Sequence, residues 1–97
     1  MEKKDLIAAR SYQKGDQFMA VYVREVSGGD IDGSMIQFEV WKNNIEDESL
    51  RDTSGNMYQI RRLYFSKLLN MLDDGWKKQG NMVFAHRYSN DFNPEVL

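Results

Sequence analysis

The sequence predicts an α+β domain, in which a small antiparallel β-sheet of three to five strands has one amphipathic helix packed on one face. Residues 18–26 are rich in Val, Tyr and Phe, as strands are, and residues 35–41 alternate apolar and polar side chains, as a strand with one buried face does. A later stretch, residues 65–76, spaces its apolar residues as one stripe of a helix. The predicted order of elements is therefore β-β-β-β-α-like.

The 97 residues are expected to form a single domain, with a polar N-terminal arm at residues 1–15 and a flexible tail at residues 90–97. Hydrophobic residues make up 41% and charged residues 29%, which is typical of a globular chain rather than a disordered one. The absence of cysteine excludes disulfides and thiolate metal sites. No apolar run resembles a signal peptide or a membrane span, so we expect a cytoplasmic protein without membrane contact.

The first two strands have a predicted core face and a predicted wet face. Their core face carries Met19, Val21, Val23, Ile36, Phe38 and Val40. Their wet face carries Phe18, Tyr22, Arg24, Gln37, Glu39 and Trp41. The segment between them, residues 27–34, is dense in Gly, Asp and Ser, which predicts a hairpin turn.

An acidic connector and a third strand are predicted next. Residues 42–56 are polar, and Ile45 and Leu50 indicate that this connector packs locally or holds a short helical turn. Residues 57–63 alternate, which predicts a strand that is either continuous or broken near Arg61 and Arg62. In a continuous strand Arg61 lies on the wet face, and Arg62 contacts a ligand only if the strand breaks.

The helix is predicted over residues 64–79, with Gly80 as its C-cap. Its apolar stripe consists of Phe65, Leu68, Leu69, Leu72 and Trp76. Gly75 is unfavourable inside a helix. The helix is therefore expected either to tolerate this residue and continue, or to end before it and restart. Residues 81–89 are predicted as a last strand, with a helix extension as the alternative.

Catalysis is not expected from this sequence. Segment 28–39 is similar to the back half of a calcium loop, but Gly28 stands where the first carboxylate ligand is required, which favours a hairpin turn. Glu39 and Lys42 are three residues apart, so a strand sends them to opposite faces and a nuclease-type metal site is excluded. His86 is the only histidine, and a surface or structural role is favoured. No catalytic residue, metal site or cofactor is predicted.

The remaining signal is the mixture of basic and aromatic residues near the strands. Aromatic side chains stack on exposed bases, and cations contact phosphates. Because Lys plus Arg number 13 against 15 Asp plus Glu, a basic surface must be local rather than general. The residues predicted to bind nucleic acid are Tyr22, Arg24, Trp41, Lys42, Arg61 and Arg62.

The strand MIQFEVW is followed by a loop and then by YQIRRLYFSKLLNML, a basic segment that leads into the helix. This layout, over residues 17–79, resembles the single-stranded-DNA-binding transcriptional coactivators of the positive cofactor four type. Members of that family have a curved four-stranded antiparallel sheet followed by one helix, and they dimerise through their helices. The resemblance implies a homodimer and single-strand binding by Arg24, Trp41, Arg61 and Arg62.

Two functions therefore remain open from the sequence. The leading one is a small single-stranded nucleic-acid-binding module that uses the basic and aromatic sheet face and regulates transcription. The alternative is a protein-interaction module, such as a small regulator or inhibitor encoded by a mobile element. In that case the acidic residues 46–52 and the aromatic face contact a protein partner.

Overall fold

The structure is a computed structural model that describes residues 4–27, 34–83 and 88–92, and it confirms the α+β class. Within these ranges, six strands form one antiparallel sheet and one α-helix packs on it. The elements in chain order are β1 (Lys4–Lys14), β2 (Gln17–Ser27), β3 (Ser34–Lys42), β4 (Ile45–Glu46), β5 (Asp52–Ser54), α1 (Met57–Asp73) and β6 (Lys77–Val83), with 3-10 helices at Glu48–Leu50 and Ser89–Phe92. The sheet order is β4-β3-β2-β1-β6, and β5 also pairs with β3.

The N-terminal segment is a central strand, so the prediction of a polar arm at residues 1–15 is wrong. β1 pairs with β2 on one side and with β6 on the other. Its inner face buries Ala8, Arg10 and Tyr12, and a β-bulge next to Ala8 buries Ile7 as well. The bulge and the buried arginine break the apolar alternation by which a strand is recognised in a sequence.

β2 and β3 form the hairpin that the sequence predicts, with the predicted core face turned inward. The register runs from Met19 opposite Lys42 to Ser27 opposite Ser34. The outer face of the hairpin is less wet than expected, because Gln37 and Glu39 are buried. The turn predicted between the strands falls on residues 28–33, which lie outside the described residues.

A tight turn joins β3 to β4. Asn43 and Asn44 have positive φ angles of 51° and 67°, as in the two-residue turns that match the twist of paired strands. Asparagine adopts this backbone conformation more readily than most residues. The chain then forms the 3-10 helix Glu48–Leu50 and returns as β5 beside β3. Of the two alternatives predicted for the acidic connector, local packing or a short helical turn, the structure has the helical turn, although Ile45 and Leu50 are exposed.

α1 begins at Met57, so the strand predicted over residues 57–63 is wrong. Asn56 caps the helix, and its Oδ1 accepts a hydrogen bond from the Tyr58 N–H at 3.0 Å. The buried residues of the helix are Ile60, Tyr64, Leu68 and Met71. Helical spacing therefore extends back through the arginines, and the brief alternation that predicted a strand is a coincidence of composition.

The predicted apolar stripe of the helix is displaced by about one residue position. Leu68 and Trp76 are buried, and Phe65 is partly buried against the core. Leu69 and Leu72 are exposed instead. The displacement follows from the wrong starting point, because Ile60 and Tyr64 set the buried face and residues 57–63 were assigned to a strand.

The helix ends in a Schellman motif at Gly75, earlier than residue 79. Gly75 has a φ of 90°, and its N–H donates to the Leu72 carbonyl at 3.1 Å. The Trp76 N–H donates to the Met71 carbonyl at 3.0 Å. These are the two bonds of the motif, and the buried Trp76 and Met71 supply the apolar contact that accompanies it.

The chain continues after this motif as β6 and not as a second helix. Gly80, predicted as a helix cap, lies within β6, and a Cβ there would meet the Ser11 side chain at 2.9 Å. The last strand predicted over residues 81–89 is confirmed in part, because β6 begins at Lys77 and is described as far as Val83. The helix-extension alternative is wrong for that range.

One apolar core lies between the inner face of the sheet and α1. Phe92, from the last 3-10 helix, is fully buried in it, with its ring 5.5 Å from the ring of Tyr64. The part of the predicted flexible tail that is described, residues 90–92, is therefore attached to the core. Residues 93–97 lie outside the described residues.

Candidate interaction surfaces

The outer face of the sheet is organised by one carboxylate, Glu39, which is only 3% exposed. Its Oε2 accepts hydrogen bonds from Arg24 Nε at 2.9 Å and from Gln37 Nε2 at 2.7 Å. Its Oε1 accepts a third bond from the indole N–H of Trp41 at 2.9 Å. A buried carboxylate needs such partners, because an unpaired charge is costly away from water.

The aromatic side chains of this face close around the same ion pair. Tyr22 is opposite Glu39 in the β2–β3 register, and its ring contacts Trp41 edge to face at 6.2 Å. The Arg24 guanidinium lies 5.1 Å from the Tyr22 ring centroid. The structure thus brings together Tyr22, Arg24 and Trp41 as predicted, but the positive charge of Arg24 is already neutralised by Glu39.

Lys42 does not belong to this cluster. It ends β3 opposite Met19, on the inner side of the sheet, and its side chain is exposed. It lines a surface depression of about 420 Å³ together with Lys14, Asp16 and Asp74. Charges of both signs meet there, so this depression does not extend the basic surface that the sequence predicts.

Arg61 and Arg62 are also separated from the sheet face. Both are exposed on α1, which packs on the opposite side of the sheet from Trp41. The sequence placed Arg61 on the wet face of a continuous strand and let Arg62 bind only at a strand break. Both predictions are wrong, because the two residues lie in a helix, where neighbouring side chains point about 100° apart. The six predicted residues therefore lie in three places rather than on one surface.

The exposed side of α1 carries a second apolar stripe, and the sequence prediction had assigned Phe65, Leu69 and Leu72 of this stripe to the core face. We call this surface the outer helix face, and it consists of Tyr58, Arg61, Arg62, Phe65, Leu69 and Leu72. Tyr58 is 70% exposed and Leu69 is 50% exposed. The Arg61 guanidinium lies 5.6 Å from the Phe65 ring centroid, which keeps the arginine beside the apolar stripe.

Two adjoining depressions shape the outer helix face. One, of about 490 Å³, is lined in part by Tyr58, Arg62 and Leu63. The other, of about 300 Å³, is lined in part by Tyr58, Arg62 and Leu69. A side chain from another molecule that enters either depression meets both an apolar wall and a guanidinium.

A second surface, which we call the acidic edge, runs over residues 45–52 beside β3. Ile45 follows the tight turn and is 73% exposed, and Leu50 at the end of the 3-10 helix is also exposed. Arg51 donates two hydrogen bonds to Glu46, at 2.7 and 2.6 Å, and these bonds raise the pKa of Arg51. The carboxylate of Glu48 is 79% exposed, although it lies 3.6 Å from Arg51.

A buried arginine lies inside the core beside two phenols. Arg10 is 1% exposed, and its charge acts on Tyr12 and Tyr64. Burial raises the pKa of both phenols, to about 12 for Tyr64, and the nearby guanidinium opposes that rise. The sequence analysis missed this cluster because it placed Arg10 in a polar arm.

The described residues contain no group of three or more His, Cys, Asp or Glu side chains that is able to hold a metal ion. None of the described helices is both long and apolar enough to cross a membrane. His86 and the first half of the calcium-like segment, residues 28–33, lie outside the described residues. What the described surfaces offer is contact area and charge for binding.

Comparisons with protein-family models, with curated proteins and with solved structures find no match for this chain. The resemblance to coactivators of the positive cofactor four type therefore stays a prediction. The basic strand on which that resemblance depends is part of α1.

Proposed function

We propose that this protein is a protein-interaction module that binds its partner through the outer helix face. The observation that carries the proposal is the concentration of exposed apolar side chains on α1. Of the six large apolar side chains that are exposed in the described residues, three lie on this one helix face, namely Tyr58, Leu69 and Leu72. An exposed apolar stripe next to cations is typical of a surface that another protein covers.

The charges of the described residues support the same proposal. The salt bridges of the described residues involve Lys14, Arg24 and Arg51, and none of them involves Arg61 or Arg62. Arginine is enriched at protein interfaces because its planar head both stacks and pairs with carboxylates. Arg61 and Arg62 therefore suit a partner that has carboxylates near apolar side chains.

The nucleic-acid hypothesis has less support from the geometry. Its sheet face depends on Arg24 for phosphate contact and on Trp41 for stacking, and both are hydrogen-bonded to Glu39. A strand of phosphates would have to compete with a carboxylate 2.9 Å from the guanidinium. The electrostatic contribution that usually dominates single-strand binding is therefore small on this face.

A photo-crosslinking residue at position 69 tests the proposal directly. In cells that naturally produce this protein, we expect the variant with the crosslinking residue at position 69 to form adducts with another protein. The control variant, with the crosslinking residue at the exposed position of Gln79 on β6, should form far fewer. Adduct formation should fall at least severalfold when Arg62→Glu is added, because the substitution reverses a charge beside the same stripe. Equal adduct yields at positions 69 and 79 would overturn the proposal.

A titration with labelled oligo-dT at two salt concentrations completes the test. If the protein is a protein-interaction module, it should not bind oligo-dT in the manner of a nucleic-acid surface. In that case no binding should be seen that both weakens with salt and requires Arg24. Binding that falls steeply with salt and is lost in an Arg24→Ala/Trp41→Ala variant would instead support the single-stranded nucleic-acid module.

A further inference from the structure

Two surfaces of the described chain have opposite charge, and each exposes apolar side chains beside its charges. The outer helix face carries Arg61 and Arg62, which no described carboxylate pairs. The acidic edge carries four carboxylates and one guanidinium, that of Arg51, so it has three negative charges in excess. Both surfaces are therefore incomplete in the isolated chain, in charge and in apolar contact.

The acidic edge has the form of a projecting element. The tight turn at Asn43 and Asn44 brings the chain back along β3, and Ile45 follows it with most of its side chain in water. Phe18 holds this turn, because its carbonyl accepts from the Asn43 N–H at 2.9 Å and its N–H donates to Asn43 Oδ1 at 2.9 Å. Because most of the Ile45 side chain stays in water, it buries little apolar area when its own chain folds.

Two further carboxylates of the acidic edge, those of Asp47 and Glu48, lie at the start of the 3-10 helix. Asp47 Oδ1 accepts from the Ser49 N–H and hydroxyl, which fixes the first turn of the 3-10 helix. Glu48 and Leu50 are both exposed in this 3-10 helix. The acidic edge therefore presents carboxylate and apolar side chains to solvent, as the outer helix face presents guanidinium and apolar side chains.

We propose that the partner bound by the outer helix face is a second copy of this chain, which docks its acidic edge there. The inference rests on the proposed function, because it names the partner of the same surface. In the contact, Glu48 of one copy pairs with Arg61 or Arg62 of the next. Ile45 and Leu50 enter the two depressions beside Tyr58, where apolar walls replace water.

The assembly that results is head to tail. The outer helix face and the acidic edge are different surfaces of one chain, so each copy offers one free surface after the other is occupied. A heterologous contact of this kind forms a ring if its rotation closes and an open chain of subunits if it does not. Because charges at the surface contribute, association weakens as salt increases.

Two charge-reversal variants separate the two halves of the contact. Arg61→Glu/Arg62→Glu removes the basic half, and Ile45→Lys/Glu48→Lys removes the acidic half. Lys77→Glu/Lys78→Glu is the matched control, since it reverses two exposed charges on β6 outside both surfaces. All six positions are exposed, so the variants should keep the circular dichroism spectrum and thermal midpoint of the wild type.

Sedimentation velocity over a wide range of protein concentration gives the readout. We expect the mean mass of the wild type and of the β6 control to rise with concentration above that of one chain, to two chains if two copies close on each other and beyond two if they do not. Each of the other variants should stay at the mass of one chain. An equimolar mixture of those two variants should form a complex of two chains, because each supplies the half that the other lacks.

Three results would overturn the inference. They are a wild type that stays monomeric throughout, an acidic-edge variant that associates as well as the wild type, and a mixture that does not associate. The second result would indicate a symmetric contact between outer helix faces. If position 69 still crosslinks to a different protein, the proposed function stands and only the second copy is excluded. If position 69 gives no more adducts than position 79, the proposed function fails as well.

Discussion

At the scale of single residues, Glu39 decides what the outer face of the sheet is able to bind. The aromatic and basic neighbours of this carboxylate have the composition of a nucleic-acid surface. Two of these neighbours, Arg24 and Trp41, nevertheless donate hydrogen bonds to Glu39 itself, and Gln37 donates a third. The prediction of a binding surface from composition was therefore not supported, because these side chains form an internal hydrogen-bond network. The sequence did place Glu39 on the same face as Arg24, but it did not indicate that the two residues pair.

Replacing Glu39 by alanine should destabilise the fold by about 2–4 kcal/mol, because Arg24 loses its ion partner and Trp41 loses its acceptor. Urea denaturation measures the change in the free energy of unfolding. Asp16→Ala is the control, and we expect a change within about 0.5 kcal/mol because Asp16 is exposed and lies outside both candidate surfaces. If both variants are equally stable, the Glu39 network does not stabilise the fold.

At the scale of the elements, β2 was predictable because it is rich in Val, Tyr and Phe, and β3 was predictable because its unbroken apolar alternation matches one buried face. β1 was not, since Arg10 occupies a core position and the bulge at Ile7 shifts the phase. The start of α1 was missed for another reason. Asn56 is a good N-cap residue, but seven residues are too few to separate a helical from a strand period when two arginines interrupt the apolar pattern.

The candidate surfaces were predictable only in part. The sequence placed Tyr22, Arg24 and Trp41 on one face, and pairing of β2 with β3 brings them together. The outer helix face required the correct phase of α1, which depends on Ile60 and Tyr64 packing against the sheet. Such long-range packing is not visible in a local pattern.

The end of α1 makes a further prediction, because Gly75 has a φ of 90° in the Schellman motif. Gly75→Ala should destabilise the protein by about 1–2 kcal/mol, since an L side chain is strained in this backbone conformation. Gly55→Ala is the matched control, because a Cβ at Gly55 meets no atom and no such strain applies. Thermal unfolding followed by circular dichroism should show a lower midpoint for Gly75→Ala alone, and equal midpoints would contradict the role of the motif.

At the scale of the whole molecule, a single core joins the sheet to α1, so the domain should unfold in one step. Trp41 reports on the outer face of the sheet, and Trp76 reports on the end of the core. We expect single-tryptophan variants, Trp41→Phe and Trp76→Phe, each to show a fluorescence midpoint in urea that coincides with its own circular dichroism midpoint. A fluorescence change that precedes the loss of secondary structure in Trp76→Phe would show that the Glu39 face loosens separately.

The position of β1 in the middle of the sheet has a consequence for biosynthesis. This strand is translated before every other described element, yet one of its edges pairs with β6, where Ala8 lies opposite Val83. Because a chain leaves the ribosome N-terminus first, that edge stays open until the last strand has emerged. A nascent chain without β6 exposes unpaired backbone on a central strand, which is where chaperones and wrong strand partners compete. Closure of the sheet therefore waits for the synthesis of β6, the last strand that the structure describes.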